Sequence, residues 1–173
     1  QLLTSNGATG APYWATATGV NTSAQYTFSN TITFNGSTSS IASILLNAGE
    51  TTNVSATAAN GTMTYYLSSQ SVMYLTTNAA ANWNPNVSFS SGTTVNTALA
   101  TGQTISFVML VTQGTTAYYS NTIYIDGTQV TPKWQGGSAP TAGNASGIDG
   151  YLYTIIKTGS ATYTVLASQT QFK

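Results

Sequence analysis

An all-β domain, an antiparallel β-sandwich of jelly-roll-like form with an irregular N-terminal arm, is the fold that this sequence predicts. Three observations predict it. Val, Ile and Thr abound and 11% of the residues are aromatic, types that fit a pleated, half-buried surface. Apolar and polar residues alternate with a period of two in several short runs. Turn signals recur about every ten residues, and no run shows helix-length periodicity.

Residues 1–20 read as the arm, punctuated by Gly7, Gly10, Pro12 and Gly19. Its aromatic anchors, Tyr13 and Trp14, are expected to dock on the main domain or on a neighbouring subunit. Residues 21–173 are expected to form one sandwich domain. Tyr26, Phe28, Ile32 and Phe34 fall on even positions, as a strand requires, and Asn35-Gly36 marks a turn. Residues 41–46 are a short apolar run. Residues 51–58 predict a polar strand, joined through a hairpin-type turn at Asn60-Gly61 to a strand over 62–67. Another strand is predicted over 71–76.

Residues 78–86 read as a loop holding Trp83 and closed by Pro85, with a short edge strand over 87–89. One helical turn fits 94–100. The most apolar run, 104–111, predicts a central strand buried on both faces. Residues 117–119 lead into a strand over 122–125, Asp126-Gly127 supplies a hairpin turn, and 128–131 return. A Gly-, Pro- and Ser-rich loop follows to residue 150. A final hairpin is expected from 151–157 and 161–172 around Thr158-Gly159-Ser160. No internal repeat has a fixed period, which argues against a propeller or β-solenoid.

Charged residues make up 3% of the chain, with Thr, Ser and Asn about two fifths, where an ordinary domain carries about 25% charge. The charges are Lys133, Lys157, Lys173, Glu50, Asp126 and Asp149. No basic patch exists, which disfavours nucleic acid as a partner. No apolar run of about 18 residues exists to cross a membrane as a helix. The start lacks the charged and apolar regions of a signal peptide. There is no Cys and no His, so the thiol nucleophile, the commonest general base and the soft metal ligands are missing. The carboxylates do not form a glycosidase pair by any visible logic: Asp126 sits in a hairpin turn and Glu50 in another. Asp149 matches the acid spacing of no known cation loop. No catalytic residue, metal site or cofactor is therefore expected. Six Asn-x-Ser/Thr sequons begin at Asn21, Asn35, Asn53, Asn60, Asn86 and Asn144. Chance explains most of them in a chain of this composition.

Lys133 and Asp149 flank the long loop and are expected either to pair and pin it or to stay solvated. Two further roles compete for the loop aromatics. Sugars are held by flat aromatic faces with amide and hydroxyl partners. Asn82-Trp83-Asn84, Tyr118-Tyr119 and Trp134-Gln135 offer such groups. The competing role for both Trp residues is to cap the sandwich core or fill an intersubunit interface, as large aromatics usually do.

Two stretches carry a resemblance. Gln1-Leu2-Leu3-Thr4-Ser5-Asn6-Gly7, followed by Ala11-Pro12-Tyr13-Trp14, resembles the joint before terminal domains of tail fibres in tailed phages. The second runs from Leu110-Val111-Thr112-Gln113-Gly114 through Ile125-Asp126-Gly127 and Pro132-Lys133-Trp134-Gln135-Gly136-Gly137. It continues through Gly147-Ile148-Asp149 to Val165-Leu166-Ala167-Ser168-Gln169-Thr170. It is similar to a C-terminal domain of structural proteins of marine phages, cyanophages included. The resemblance covers the last third of the chain closely and the arm loosely. It implies a virion or extracellular location, homotrimeric assembly with other virion proteins, and adhesion to a host-surface glycan or receptor. It supplies no binding residue. A purely structural capsid-decorating or fibre-building module, and a cellular adhesin or filament subunit whose arm completes a neighbour's sheet, are the alternatives.

Overall fold

From Thr52 onward the chain winds back and forth between two facing sheets. The structure, a computed structural model, describes residues 2–4, 10–11, 13–15 and 51–173. The chain divides into two compact units, Gln1–Leu46 and Asn47–Lys173. In the first, β1 (Leu2–Thr4) and β2 (Tyr13–Ala15) form an antiparallel pair with Leu3 opposite Trp14. Part of the expected irregular arm is thus a short ladder. The strands expected over 26–34 and 41–46, and the end of the arm at residue 20, lie outside the described residues.

The second unit holds β3 (Thr52–Ala58), β4 (Gly61–Tyr66), β5 (Val72–Thr77), β6 (Trp83–Ser88) and a one-turn helix α1 (Val95–Ala98). Then come β7 (Thr104–Thr112), β8 (Ile123–Ile125), β9 (Thr128–Val130), β10 (Lys133–Trp134), β11 (Ile148–Gly159) and β12 (Thr162–Phe172). One sheet has six strands in the order β10-β12-β11-β7-β5-β3, and the other four, β4-β6-β8-β9. The domain is an all-β sandwich.

Strand direction departs from the antiparallel, jelly-roll-like expectation. From β3 to β8 successive strands alternate between the sheets, so β3, β5 and β7 pair in parallel, as do β4, β6 and β8. Among the described residues of this unit, antiparallel pairing is confined to β7-β11, β11-β12 and β8-β9. This is a short coil of the kind that the missing repeat argued against. Its rungs start at Thr52, Val72 and Thr104, which are unequally spaced, so no period shows. Period-two patterning is the same for either direction, because it reports only which face is buried. The same reasoning corrects Asn60-Gly61, which turns the chain from one sheet into the other instead of closing a hairpin.

The inner face of the large sheet takes every second residue of its central strands: Phe107, Met109 and Val111 from β7, and Tyr151, Tyr153 and Ile155 from β11. Tyr65, Trp83, Val87, Ile123 and Ile125 meet them from the small sheet. The residues expected to form a loop around Trp83 are strand β6, in which Trp83, Pro85 and Val87 point into the core. Proline is tolerated there because pairing with β8 begins only at Asn86.

Asp126-Gly127 is the hairpin turn expected, with φ of 50° and 80°. Its carboxylate also does something the turn signal does not show. It accepts the backbone N–H groups of Val95 (2.9 Å) and Asn96 (3.1 Å) at the start of α1. At the other end, the buried Lys157 ammonium donates to the carbonyls of Leu99 (2.8 Å) and Asn96. An isolated turn of helix is unstable in water. This one is held because an anion meets its N-terminal N–H groups and a cation its C-terminal carbonyls. Replacing Asp126 by Gly keeps the positive-φ turn but removes the cap. The expected loss is about 1 kcal/mol of stability in a denaturant melt.

Candidate functional site

An aromatic chain runs through the core: Tyr65 lies 4.4 Å from Phe107, Phe107 5.2 Å from Tyr153, and Tyr153 6.5 Å from Tyr151, measured between ring centroids. Trp83 meets Tyr151 edge-on at 5.0 Å, and Trp134 meets Tyr153 at 6.0 Å. The phenol groups need partners here and find them. Tyr65 donates to the Gln70 carbonyl, Tyr153 bonds the Ser120 hydroxyl, and Tyr151 accepts from Gln169 Nε2 (3.0 Å).

Burial pushes the phenols of Tyr65, Tyr151 and Tyr153 well above the usual tyrosine range. Unfolded, they ionise near ~10. The native state therefore holds protons that the unfolded state has lost, so stability is full below that pH and falls as pH rises above it. An alkaline titration followed at 295 nm is expected to show these three tyrosines ionising only together with unfolding.

Trp83 is fully buried, so Asn82-Trp83-Asn84 is not a sugar platform. Asn82 and Asn84 instead brace the neighbouring loop: Asn82 Oδ1 accepts the N–H of Tyr119 (3.1 Å), and Asn84 Oδ1 accepts from the Ser120 hydroxyl (3.4 Å). Tyr118 and Tyr119 are half-buried. Trp134 is 9% exposed, packs on the core and donates from Nε1 to the Asn121 carbonyl. Tyr13 and Trp14 lie on β2; their side chains are outside the described residues.

Lys133 and Asp149 are not partners. Asp149 sits in register with Gln171 and Lys133 with Leu166, five residues apart on β12, or ~16 Å at strand rise. Asp149 points into the interior and Lys133 outward to solvent. The long loop is pinned by Asp149 in another way. Its carboxylate accepts from Gln113 Nε2 (2.9 Å) and from the backbone N–H of Asn144 (3.1 Å to Oδ2). Gln113 also brackets Tyr118, accepting its N–H at 2.9 Å and donating to its carbonyl at 2.7 Å. Asp149 is thus surrounded by donors, the setting of an anion and not of a cation. Among the described residues no cluster of acids suits a metal ion. Burial raises the Asp149 pKa, and the hydrogen bonds from Asn144, Gln113 and Gln169 oppose that rise in part.

An outward-facing recess is built around Trp134-Gln135. β10 runs alongside β12 for two residues, Lys133 opposite Leu166 and Trp134 opposite Ala167. Gln135–Gly137 then leaves the sheet as a short 3₁₀ turn, with Gly136 at φ 78° and Gly137 at φ 83°. Side chains resist that left-handed region, which is why two glycines follow Trp134-Gln135. Their turn leaves the edge of β12 uncovered past Ala167. A groove of 630 Å³ opens there, lined by Trp134, Gln135, Ser138, Pro140, Gln169, Thr170 and Gln171. Among the described residues no charged side chain lines it. A smaller recess of 370 Å³ lies across β10, lined by Lys133, Gln135, Leu152 and Leu166 among others. Sequence reasoning found Trp134 and Gln135 but missed Gln169, Thr170 and Gln171. The only signal for those was three consecutive polar residues at the end of a strand.

No protein-family model, no curated protein and no solved structure matches this chain.

Proposed function

We propose that this chain is an adhesion domain of a phage virion appendage, of tail-fibre type, that recognises a neutral host-surface glycan in the groove along β12. It works by binding and carries out no reaction. The observation that supports this reading is the lining of the groove. Three glutamine amides and two hydroxyl side chains line an open recess that has no charged side chain in its lining among the described residues, a set of donors and acceptors that suits sugar hydroxyls. The resemblance of the last third of the chain to marine-phage structural domains supports the virion assignment. The Trp134-Gln135-Gly136-Gly137 segment that carries much of that resemblance is also the segment that opens the groove. Uncharged recognition fits a particle that meets varied ionic strength, because such contacts are not screened by salt.

Gln135 and Gln171 are exposed and belong to no core contact, so they can be altered without unfolding the sandwich. On an array of neutral glycans, the unmodified chain is expected to bind a restricted set. The Gln135→Ala/Gln171→Ala double variant is expected to lose about tenfold or more in affinity, at ~1 kcal/mol per hydrogen bond, with an unchanged melting temperature. Equal binding by both proteins, or no glycan bound by either, contradicts the proposal.

A further inference from the structure

We infer that the outer face of the six-stranded sheet is the contact surface for a second copy of this chain, packed face to face about a two-fold axis. Among the described residues, the large apolar side chains left exposed are Val54 (64%), Leu152 (44%), Leu166 (46%) and Phe172 (53%). All four lie on this one face. Register joins them: Val54 is opposite Tyr74 and Tyr74 opposite Leu110, while Val72 is opposite Val108 and Val108 opposite Leu152. Leu166 is diagonal to Leu152, since it pairs with Thr154. Gly150 completes the stripe. A β-carbon there would stand 3.1 Å from Phe172 Cε2, so the absent side chain leaves room for the phenyl ring to lie across the sheet.

The result is an apolar band crossing β3, β5, β7, β11 and β12. Solitary exposed apolar residues are ordinary, whereas a contiguous band marks an interface. Size and charge indicate the occupant. Five strands at ~4.8 Å and seven residues at ~3.3 Å give a face of about 24 by 23 Å, or ~550 Å² in flat projection. Two such faces come to ~1,100 Å² before side-chain relief is counted, above the ~1,000 Å² that a specific interface needs. Among the described residues the charged side chains of the face lie only at its margins, Lys133 beside Leu166 at one corner and Lys173 after Phe172 at another. A two-fold pairing of this surface therefore sets apolar against apolar with no like charges opposed, as an isologous interface requires. A charged partner would find nothing on it to match.

This surface adjoins the groove along β12, with Gln135 bordering both the groove and the recess that Leu152 and Leu166 line. The pairing rests on the apolar side chains and glycan recognition on the amides, so each can fail without the other. A dimer would present two grooves together, which raises the strength of attachment to a surface displaying many copies of a ligand.

Sedimentation of the full chain over a wide concentration range tests the inference. The expected result is a monomer–dimer equilibrium. Leu152→Asp, and separately the milder Leu166→Ser, are expected to raise the dissociation constant about a hundredfold and tenfold, with the near-ultraviolet spectrum of the buried aromatics unchanged. Gln171→Ala, at a residue that lines the groove but not the recess of Leu152 and Leu166, is expected to leave the dimer intact. The chain contains no cysteine, so Leu152→Cys with a short bis-maleimide reports this contact alone, and a covalent dimer is expected. A monomer at every concentration overturns the inference. So does a larger assembly in which the thiol at position 152 does not cross-link. Lowered melting of Leu166→Ser without a change of mass also overturns it, because the chain would then be covering the face itself.

Discussion

Replacing Trp83 by alanine is expected to lower the unfolding free energy by about 3–5 kcal/mol, the usual range for emptying the site of a fully buried aromatic. Trp83 has no solvent exposure and packs edge-on against Tyr151 at the centre of the aromatic chain. Its indole N–H is buried without a hydrogen-bond partner, so Trp83→Phe loses volume but no hydrogen bond. That variant is expected to fall well short of the alanine penalty. Chemical denaturation of the two variants measures the difference. Similar losses in both would mean that the indole N–H has a partner and that packing is not what Trp83 contributes. The pair also separates core from groove, since Gln135→Ala/Gln171→Ala is expected to leave stability unchanged.

The second large effect is expected at Asp149. Asp149→Ala removes one of the two acceptors of the Gln113 amide nitrogen, which keeps the Tyr118 carbonyl, and the acceptor of the part-buried Asn144 N–H, at about 1–3 kcal/mol for a buried donor left unsatisfied. The long loop that Asp149 ties down forms one wall of the groove through Ser138 and Pro140, so ligand recognition is expected to fall with stability. Asp149→Asn isolates the role of charge. The wild-type carboxyl is held above its ordinary pKa by burial, so the folded protein keeps a proton that the unfolded chain releases near ~3.9. The contribution is complete below that pH and declines as pH rises through the raised value. Melting of the wild type is expected to be higher in mild acid than at neutrality, and Asp149→Asn is expected to flatten that slope. A wild type that melts lower in acid would show that the hydrogen bonds to the carboxylate outweigh its burial.

The class of fold was legible because period-two patterning and β-branched residues report burial on a pleated sheet. The direction of pairing was not, since that pattern is blind to it. β11 and β12 were readable because their turn is local. The parallel coil from β3 to β8 was not, because its partners stand one rung apart and the rungs differ in length. Pro85 and two flanking asparagines disguised β6 as a loop, although the alternation of Trp83, Pro85 and Val87 was in the sequence.

At the candidate site, Trp134 and Gln135 were visible and the glutamines of β12 were not. Their place in the groove depends on a neighbour that leaves the sheet. The Gly136-Gly137 pair records that departure in the sequence. The expected partnership of Lys133 with Asp149 failed because nearness to one loop says nothing about facing. Trp134 and Asp149 turn inward, whereas Lys133, next to Trp134 in the chain, turns outward.

The salt dependence of attachment shows whether recognition by this groove is uncharged. Binding to the cognate glycan or to host cells, measured from low to high sodium chloride, is expected to hold a constant affinity, because the groove presents amides and hydroxyls and no charge. An affinity that collapses as salt rises would mean that charged groups carry recognition and that the neutral lining of this groove does not.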